Sequence, residues 1–412
     1  MLMCAIAALA SCSKNDDGIP GGGSDAPEAK VILKLVGNSD QATSKAAGLP
    51  SNDELAASNG AINNLMVFIF NSTGTVITKQ YFDSPSGPNE VSTTTDAHDV
   101  AVIANAGQGS FTTVASKDAL KAVLANMLTG DNPTDAVTQK DNNIYMSGVG
   151  TLSAFTEQAD KSMKATVTVS LNYLATRIQL KAISFNGGTE KGNKYVPFTG
   201  FETDKTANFT IRRVYLMNVQ RATHFLPATE GNADYIAQGD KQYTGGVDWT
   251  DPWTTTMPNE FKPNNEYSIE AGDGKFITGT GGASNTISDI GHWYTFANTG
   301  VGSIDNHPTA LVVEVQWREV KKDDTATPPA VDKITTLYFT TYFGGGDKDE
   351  LLAGHVYTVN LKLNGNFKPT NQGGSGGGGT TDPTKPTVNS SVEVTVTPAT
   401  WTLEPEISKE WK

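Results

Sequence analysis

Cysteine is almost absent from this 412-residue chain, because its two cysteines, Cys4 and Cys12, both lie in the first dozen residues. The rest of the chain can therefore form neither a disulfide framework nor a cysteine-based metal site. Hydrophobic residues are also scarce, at 37%, whereas glycine, with 41 residues, is abundant. This composition is typical of loop-rich β-sheets, whose stability must come from sheet packing.

Clustered positive charge is lacking as well. The formal net charge is −13, and no group of lysines and arginines is dense enough to meet phosphate groups. Charge therefore argues against nucleic acid and against an anionic membrane surface as partners. An excess of acidic residues mainly keeps an extracellular protein soluble.

Motifs for catalysis or cofactor binding are missing from the sequence. The five histidines are scattered without the spacing of metal ligands. The glycine-rich run at residues 373–379 has no Lys-Ser/Thr for a phosphate loop, and the GxSxG match around Ser375 has no flanking strand or helix. Asp347, Asp349 and Glu350 form an acidic turn that could hold calcium, but a solvated hairpin tip is the simpler interpretation. We therefore expect neither an enzyme nor a cofactor.

Aromatic residues are few, but among those in one long region rich in glycine, asparagine and threonine, four are candidates for sugar binding. They are Trp249, Trp253, Trp293 and Tyr294. Such residues could stack on sugar rings in an exposed cleft, although in a loop-rich sandwich they more often close the ends of the core. Glycan binding is therefore an alternative function, which exposure of these side chains would support.

The N-terminus has the form of a bacterial lipoprotein signal. Residues 1–12 are an apolar run ending in Leu-Ala-Ser-Cys, where the small residues admit a signal peptidase and Cys12 takes the lipid. The run is too short to span a membrane as a helix. Residues 13–28 follow as a tether. A plain secretory signal with a chance cysteine is the alternative interpretation.

The middle of the chain predicts β-strands separated by turns. Besides a hairpin at residues 65–70 and 75–82, apolar runs mark strands at residues 29–36, 99–105, 144–147, 163–171, 176–185, 208–220, 310–317, 335–343 and 355–363. Helical spacing occurs at residues 117–128, where Ser116 can cap the helix. We predict an all-β fold of two antiparallel β-sandwiches, over residues 29–172 and 173–371, with residues 223–302 forming elaborated loops over a sheet, with short strands.

The C-terminal segment combines a flexible tether with a good strand. Residues 372–391 are a Gly/Pro linker, which stays flexible because it buries little on ordering. In the following segment, residues 392–412, three valines alternate with polar residues and predict a strand with one buried face. Its apolar residues are Val392, Val394 and Val396, with Trp401 and Leu403 extending the set. A strand on such a tether can pair with a sheet in another molecule, which indicates assembly by strand donation.

Together these features resemble those of the Bacteroidales fimbrillins, the lipoprotein-derived subunits of type V pili. The similarity is found in the lipobox, in the strands AKVILKLV and LMVFIF, in DVAVIANAG, MKATVTVSLNYLATRIQLKAI, IRRVYLMNV and GHVYTVNLKLNG, and in the terminal tether and strand. It covers nearly the whole chain and is greatest to a major, or stalk, fimbrillin. The resemblance implies transthyretin-like β-sandwiches, and the acidic residues after Cys12 resemble a surface-export signal of Bacteroidetes lipoproteins.

The resemblance also implies an assembly cycle. A lipoprotein precursor reaches the outer membrane surface, where a trypsin-like protease cuts the loop after the first strand. Lys45, followed by Ala46, is the basic residue of that polar loop, although family members often carry arginine there. Loss of residues 29–45 opens a groove in the N-terminal sandwich.

The groove would be lined by the residues that packed against Val31, Leu33 and Leu35, and the C-terminal strand of another subunit would fill it. The expected partners are other fimbrial subunits, the maturation protease and a host or bacterial surface ligand, and the expected location is an extracellular fimbria. The alternatives are an accessory, anchor or tip subunit, and a surface glycan-binding lipoprotein whose C-terminal segment completes its own sandwich.

Overall fold

The computed structural model describes residues 26–37, 61–83, 85, 90–130, 135–186, 195–197, 209–228, 235–245, 276–277, 286–302, 306–321, 331–344, 350–364 and 392–400. Most of these residues lie in β-strands arranged in several sheets, so the predicted all-β class is confirmed. Within these ranges, no helix has both the length and the apolar character needed to cross a membrane.

The N-terminal half folds from nine described strands. They are β1 (Glu28–Gly37), β2 (Asn64–Asn71), β3 (Val76–Asp83), β4 (Glu90–Thr94), β5 (Ala97–Ala104), β6 (Leu124–Asn126), β7 (Met146–Thr151), β8 (Thr156–Glu157) and β9 (Met163–Tyr173). Between β5 and β6 lie a 3-10 turn (Gly109–Phe111) and a helix, α1 (Lys117–Lys121). The predicted hairpin is β2–β3.

Eight of these strands form one sheet in the order β3-β2-β5-β7-β9-β1-β4, with β8 paired to β9. The first strand of the chain, β1, lies inside this sheet and is parallel to β9 and antiparallel to β4. The two ends of the sheet approach each other, because the Thr78 hydroxyl of β3 donates to the carbonyl oxygen of Ser92 in β4 at 3.1 Å. The strands therefore nearly close around an interior, and β1 is one of the members that enclose it.

The C-terminal half contains the remaining strands. They are β10 (Ala175–Asn186), β11 (Tyr195–Pro197), β12 (Phe209–Met217), β13 (Val219–Gln220), β14 (Ala222–His224), β15 (Tyr243–Thr244), β16 (Phe276–Ile277), β17 (Thr286–Phe296), β18 (Ala310–Lys321), β19 (Val331–Tyr342), β20 (His355–Asn364) and β21 (Val392–Thr400). A second 3-10 turn spans Gln238–Asp240.

Two larger sheets organise this half. One has the order β17-β10-β20-β21, in which β10 and β20 are parallel, and the other has the order β11-β18-β12-β16, with β19 paired to β18. The parallel pair β10–β20 repeats the arrangement of β1 and β9, because in each half the first strand runs parallel to a strand near the end of that half. Both parallel ladders are additions to the antiparallel pattern that the sequence predicts.

The strand β2 explains how the two halves share their cores. Its run LMVFIF is apolar without interruption because both of its faces are buried. One face, with Val67, packs in the core beneath β1, which we call the inner core. The other face, with Phe68, packs in a second cluster that continues into the C-terminal half as far as Leu361, which we call the shared core.

A short ladder also joins the halves. β6 pairs with β14, so that Leu124–Asn126 of the N-terminal half lies antiparallel to Ala222–His224. This ladder corrects the helix predicted at residues 117–128, which ends at Lys121 after five residues. The Ser116 cap is present, since its hydroxyl accepts from the Ala119 backbone amide at 3.1 Å. The residues beyond Lys121 are in an extended conformation, and their apolar spacing comes from packing against the C-terminal half.

A second correction concerns residues 223–302, for which the sequence predicts elaborated loops with only short strands. The described part of this region contains β17, an eleven-residue strand that pairs with β10 along most of its length. Its sequence, TISDIGHWYTF, mixes polar and apolar residues without strict alternation, and this irregularity hides the strand from a period-two search.

Candidate assembly site

The side chains of β1 follow the alternation that the sequence predicts. Val31, Leu33 and Leu35 are buried in the inner core, with exposed fractions of 1%, 4% and 5%, whereas Lys30, just before them, and Lys34, between the two leucines, are exposed. Burying three side chains of this size contributes about 5–9 kcal/mol gross, at about 1.5–3 kcal/mol each. The first strand is therefore a substantial part of the hydrophobic core around it.

The backbone of β1 is paired on both sides. Ala29–Gly37 runs beside Met163–Leu171 of β9, and Glu28–Ile32 runs beside Glu90–Thr94 of β4. Removal of β1 would therefore leave two strand edges facing each other across a groove one strand wide, with the inner core at its floor. Lys34 lies within the ladder to β9, which protects its peptide bond and makes it a poor site for a protease.

On the outer face of the sheet, one carboxylate links β1 to both rims. Glu90 Oε2 accepts from Lys30 Nζ at 2.9 Å, and Glu90 Oε1 accepts from Lys164 Nζ at 2.8 Å. These bonds, from Lys164 first and Lys30 second, lower the pKa of the Glu90 carboxyl, and the bond to Glu90 raises the pKa of Lys164. Because Glu90 is in β4 and Lys164 is in β9, their contact passes over β1.

Two glycines of β7 let it cross close to the backbone of β9. A Cβ added at Gly148 would lie 2.1 Å from the Ser170 carbonyl oxygen, and one at Gly150 would lie 2.7 Å from the Thr168 carbonyl oxygen. No side chain fits in so short a gap. The glycines therefore fix the position of β9, which forms one rim of the groove.

The C-terminal strand β21 lies in the other half of the molecule. It is nine residues long and pairs antiparallel with β20, from His355 opposite Thr400 to Leu363 opposite Val392. It stands last in its four-stranded sheet. The structure therefore does not bring the predicted donor residues Val392, Val394 and Val396 next to β1.

Several predicted site residues lie outside the described residues. They are Cys12, Lys45, Ala46, Trp401 and Leu403, together with the linker at residues 372–391 and the aromatics Trp249 and Trp253. The signal segment at residues 1–12 and most of the tether at residues 13–28 lie outside them too.

The aromatic platform considered for glycan binding is not formed by its two described members. Trp293 and Tyr294 are each 1% exposed and lie in the shared core and the inner core, respectively. They close the core, as the simpler interpretation of the sequence proposes. Within the described part of the chain, no three His, Cys, Asp or Glu side chains converge as metal ligands, and the Glu350 carboxylate accepts from the backbone amides of Gly300 and Val301.

Sequence reasoning misses a polar contact between the halves. The Asp141 carboxylate accepts from His292 Nε2 at 3.0 Å and from the Tyr294 hydroxyl at 2.6 Å. The hydrogen bond from His292, opposed by desolvation and helped by the Tyr294 bond, lowers the pKa of Asp141 to about 2. The partners are more than 150 residues apart in sequence, so no local signal marks them.

Comparison with known proteins matches both halves of the chain to major fimbrial subunits. A family model described as the major fimbrial subunit protein (FimA) matches residues 29–208, and one described as the C-terminal domain of the FimA-like major fimbrial subunit protein matches residues 260–401. Together they match most of the chain. A comparison with curated proteins gives no match.

Solved structures from three Bacteroidales species have a similar fold. A candidate cell adhesion protein from Bacteroides eggerthii is 26% identical, with 93% of this chain and 99% of that chain covered and a TM-score of 0.60. One from Parabacteroides distasonis is 17% identical, with coverage of 92% and 97% and a TM-score of 0.50. The fimbrilin FimA of Porphyromonas gingivalis is 15% identical, with coverage of 91% and 98% and a TM-score of 0.50.

Proposed function

Because the chain belongs to the family of FimA-like major fimbrial subunits, we propose that it is the stalk subunit of an adhesive surface fimbria that polymerises by protease-triggered donor-strand exchange. In this proposal it is a structural protein without an active site. Its partners are further copies of itself, accessory and anchor subunits, and a surface ligand of the host or of another bacterium.

The observation that carries the proposal is the position of β1. A strand at the start of the chain is inserted between β9 and β4, so a single cut after it would free a complete member of the sheet. The proposed cut follows Lys45, in the polar segment between β1 and β2. Its loss would expose the hydrophobic floor beneath Val31, Leu33 and Leu35, which is unfavourable in water until another strand fills the groove.

The proposed donor is β21 of a neighbouring subunit. Its nine residues equal the length of the β1 ladder with β9, and its three valines alternate as Val31, Leu33 and Leu35 do. On β20 the strand is paired along one side, whereas in the groove it would be paired with β9 on one side and with β4 on the other. Transfer of β21 from β20 to the groove therefore adds a second ladder, in which backbone groups at the edge of the strand gain hydrogen-bond partners. It also moves the valines from the edge of a sheet into an enclosed core.

Before assembly, we propose a lipoprotein precursor anchored in the outer membrane through Cys12. Cleavage then releases the subunit from the lipid together with β1, because both lie on the N-terminal side of Lys45. One event would thus free the subunit from the membrane and open the groove that admits the next donor strand. Anchoring and polymerisation would be mutually exclusive states of the same chain.

Limited cleavage of the chain without its first 25 residues, by a lysine-specific protease, tests the proposal. After cleavage we expect SDS-resistant oligomers, which form a ladder of bands on a gel, and filaments visible by electron microscopy. Two controls should stay monomeric, namely the variant Lys45→Gln and a chain truncated after Ser391, which lacks the donor strand. Mass spectrometry of the released N-terminal fragment identifies the bond that is cut.

A cleaved wild-type protein that loses β1 and stays monomeric would refute the stalk role. The anchor interpretation would gain if β1 stays bound after cleavage, because an anchor keeps its first strand and lipid. An unchanged polymer from the chain truncated after Ser391 would show that another segment fills the groove.

A further inference from the structure

The contact between Glu90 and Lys164 has a geometry that an ordinary surface ion pair lacks. Neighbouring strands are about 4.8 Å apart, so β4 and β9 are separated by about 9.6 Å with β1 between them. The two side chains nevertheless meet at 2.8 Å above the outer face of β1. They are partly shielded from solvent, with exposed fractions of 32% for Glu90 and 26% for Lys164. One acid and one base therefore lie across the groove, one on each rim.

The strands that would occupy the groove carry opposite charges at this place. β1 presents Lys30 to Glu90 on its outer face. The donor segment, VEVTVTPAT, has one charged residue, Glu393, which alternation places on the face opposite the three valines.

With the donor strand running in the same direction as β1 and its valines directed inward, two registers place Glu393 near the contact. In one register Val394 stands in the place of Val31, and Glu393 takes the place of Lys30, whose partner in β9 is Lys164. In the other register Val392 stands in the place of Val31, and Glu393 takes the place of Ile32, whose partner in β4 is Glu90. A lysine side chain on the same face reaches both places, because they are separated by about 7 Å.

We propose that Glu90 and Lys164 form a pair of opposite charges, which we call the clasp, that binds two different strands in turn. Glu90 holds the resident β1 through Lys30, and Lys164 holds the incoming donor strand through Glu393. The proposal rests on donor-strand exchange as the proposed function. If both rims of the groove carried the same charge, they would attract one of the two strands, β1 or the donor, and repel the other. With one acid and one base, each occupant finds an opposite charge, so the clasp allows exchange and still selects a donor with an acidic residue at the second position.

The register that brings Glu393 to the place of Lys30 is the one the clasp favours. It places Glu393 beside Lys164 and two residues from the position opposite Glu90, whereas the alternative register places two carboxylates opposite each other. The clasp would therefore set the position of the donor strand along the groove. In that register Val392, Val394 and Val396 would replace Ala29, Val31 and Leu33.

A double-mutant cycle in the cleaved, polymerised chain tests the donor arm. The variants Glu393→Gln and Lys164→Gln should each raise the rate at which SDS-resistant ladders dissociate by about two- to fivefold, as expected for a partly exposed ion pair. The double variant should dissociate no faster than either single variant. Thr397→Ala, on the same face of the donor but away from the clasp, serves as the control and should dissociate at the wild-type rate.

Release of the cleaved N-terminal fragment tests the resident arm. Glu90→Gln should speed release of the fragment by about two- to fivefold, whereas Lys164→Gln should not speed it. All of these differences should shrink in about 1 M salt, where the screening length falls to about 3 Å. A loss of packing would persist in salt and would overturn the electrostatic assignment.

The outcomes separate this inference from the proposed function. If the wild-type chain forms ladders and the two single variants are additive or without effect, the clasp is refuted and the stalk role stands. If Glu90→Gln and Lys164→Gln change fragment release equally, the assignment of one residue to each strand is refuted. If cleaved wild-type protein forms no ladders, the proposed function fails and the clasp fails with it.

Discussion

The substitution Leu33→Ala should separate the uncleaved subunit from the polymer. Leu33 is 4% exposed, lies in the inner core and pairs with Val167 of β9. Replacing a leucine by alanine in such a site costs about 2–5 kcal/mol, because the lost transfer energy and the remaining cavity both count. The free energy of unfolding of the uncleaved chain should fall by that amount.

The same substitution should leave the polymer unchanged. In the proposed fimbria β1 has been discarded, so residue 33 no longer contributes to any subunit within the filament. Ladders formed from cleaved Leu33→Ala protein should therefore dissociate at the wild-type temperature, although the fragment should leave sooner after cleavage. Few substitutions in a hydrophobic core are expected to weaken a monomer and spare its assembly.

Urea unfolding of the uncleaved chain and thermal dissociation of the ladders measure the two effects. Lys34→Ala is the matched control, since Lys34 is an exposed neighbour in the same strand and should change the free energy of unfolding by less than about 0.5 kcal/mol. Equal weakening of monomer and polymer by Leu33→Ala would mean that β1 stays in the filament. No weakening of the monomer would mean that β1 contributes nothing to the core.

Three further predictions concern the scaffold. Asp141→Asn should lower the free energy of unfolding near pH 5 by about 1 kcal/mol, a value that allows for solvent screening of a half-exposed carboxylate. Because the pKa of Asp141 in the folded state is depressed to about 2, the wild type should lose this advantage as the pH falls from about 4 to 2. Urea titrations that give the same difference at every pH would contradict the assignment. Gly148→Ala should destabilise the chain by about 1–3 kcal/mol, because its Cβ overlaps the backbone of β9, whereas Gly109→Ala, which meets open space, should not. Phe225→Ala should lower the free energy of unfolding by about 3–5 kcal/mol. Because Phe225 packs against Phe111 of the other half, at 5.0 Å between ring centroids, calorimetry should show one transition at a lower temperature. Two separate transitions would argue against a shared core.

The sequence predicts the strands well where one physical signal dominates. Alternation identifies β1 and its buried residues, and the uninterrupted run in β2 is apolar because two cores meet on that strand. Prediction from the apolar pattern fails at residues 122–128, where Met127 and Leu128 are buried in the shared core and give the same spacing as a helix. Tertiary packing there overrides the local pattern.

The candidate site is only partly readable from the sequence. The inward face of β1 follows from its own alternation, but the identity of its neighbours depends on strands more than 50 residues away. Glu90 and Lys164 carry no motif, because each is one charged residue in an ordinary strand. β21 pairs with β20, the strand that precedes it in sequence, whereas the alternation of its valines does not by itself identify the sheet that it joins.

The shared core has a mechanical consequence for a filament under tension. A pull that enters through the N-terminal half and leaves through the C-terminal half is carried by the backbone that joins β9 to β10, and the β6–β14 ladder and the buried rings around Phe111 and Phe225 share the load. These elements resist together, so the halves cannot separate one contact at a time. A donor strand lying along β9 would be loaded in shear, with all of its backbone bonds strained at once. Such a subunit would transmit force as a stiff rod, and the filament would extend little before a whole joint gives way.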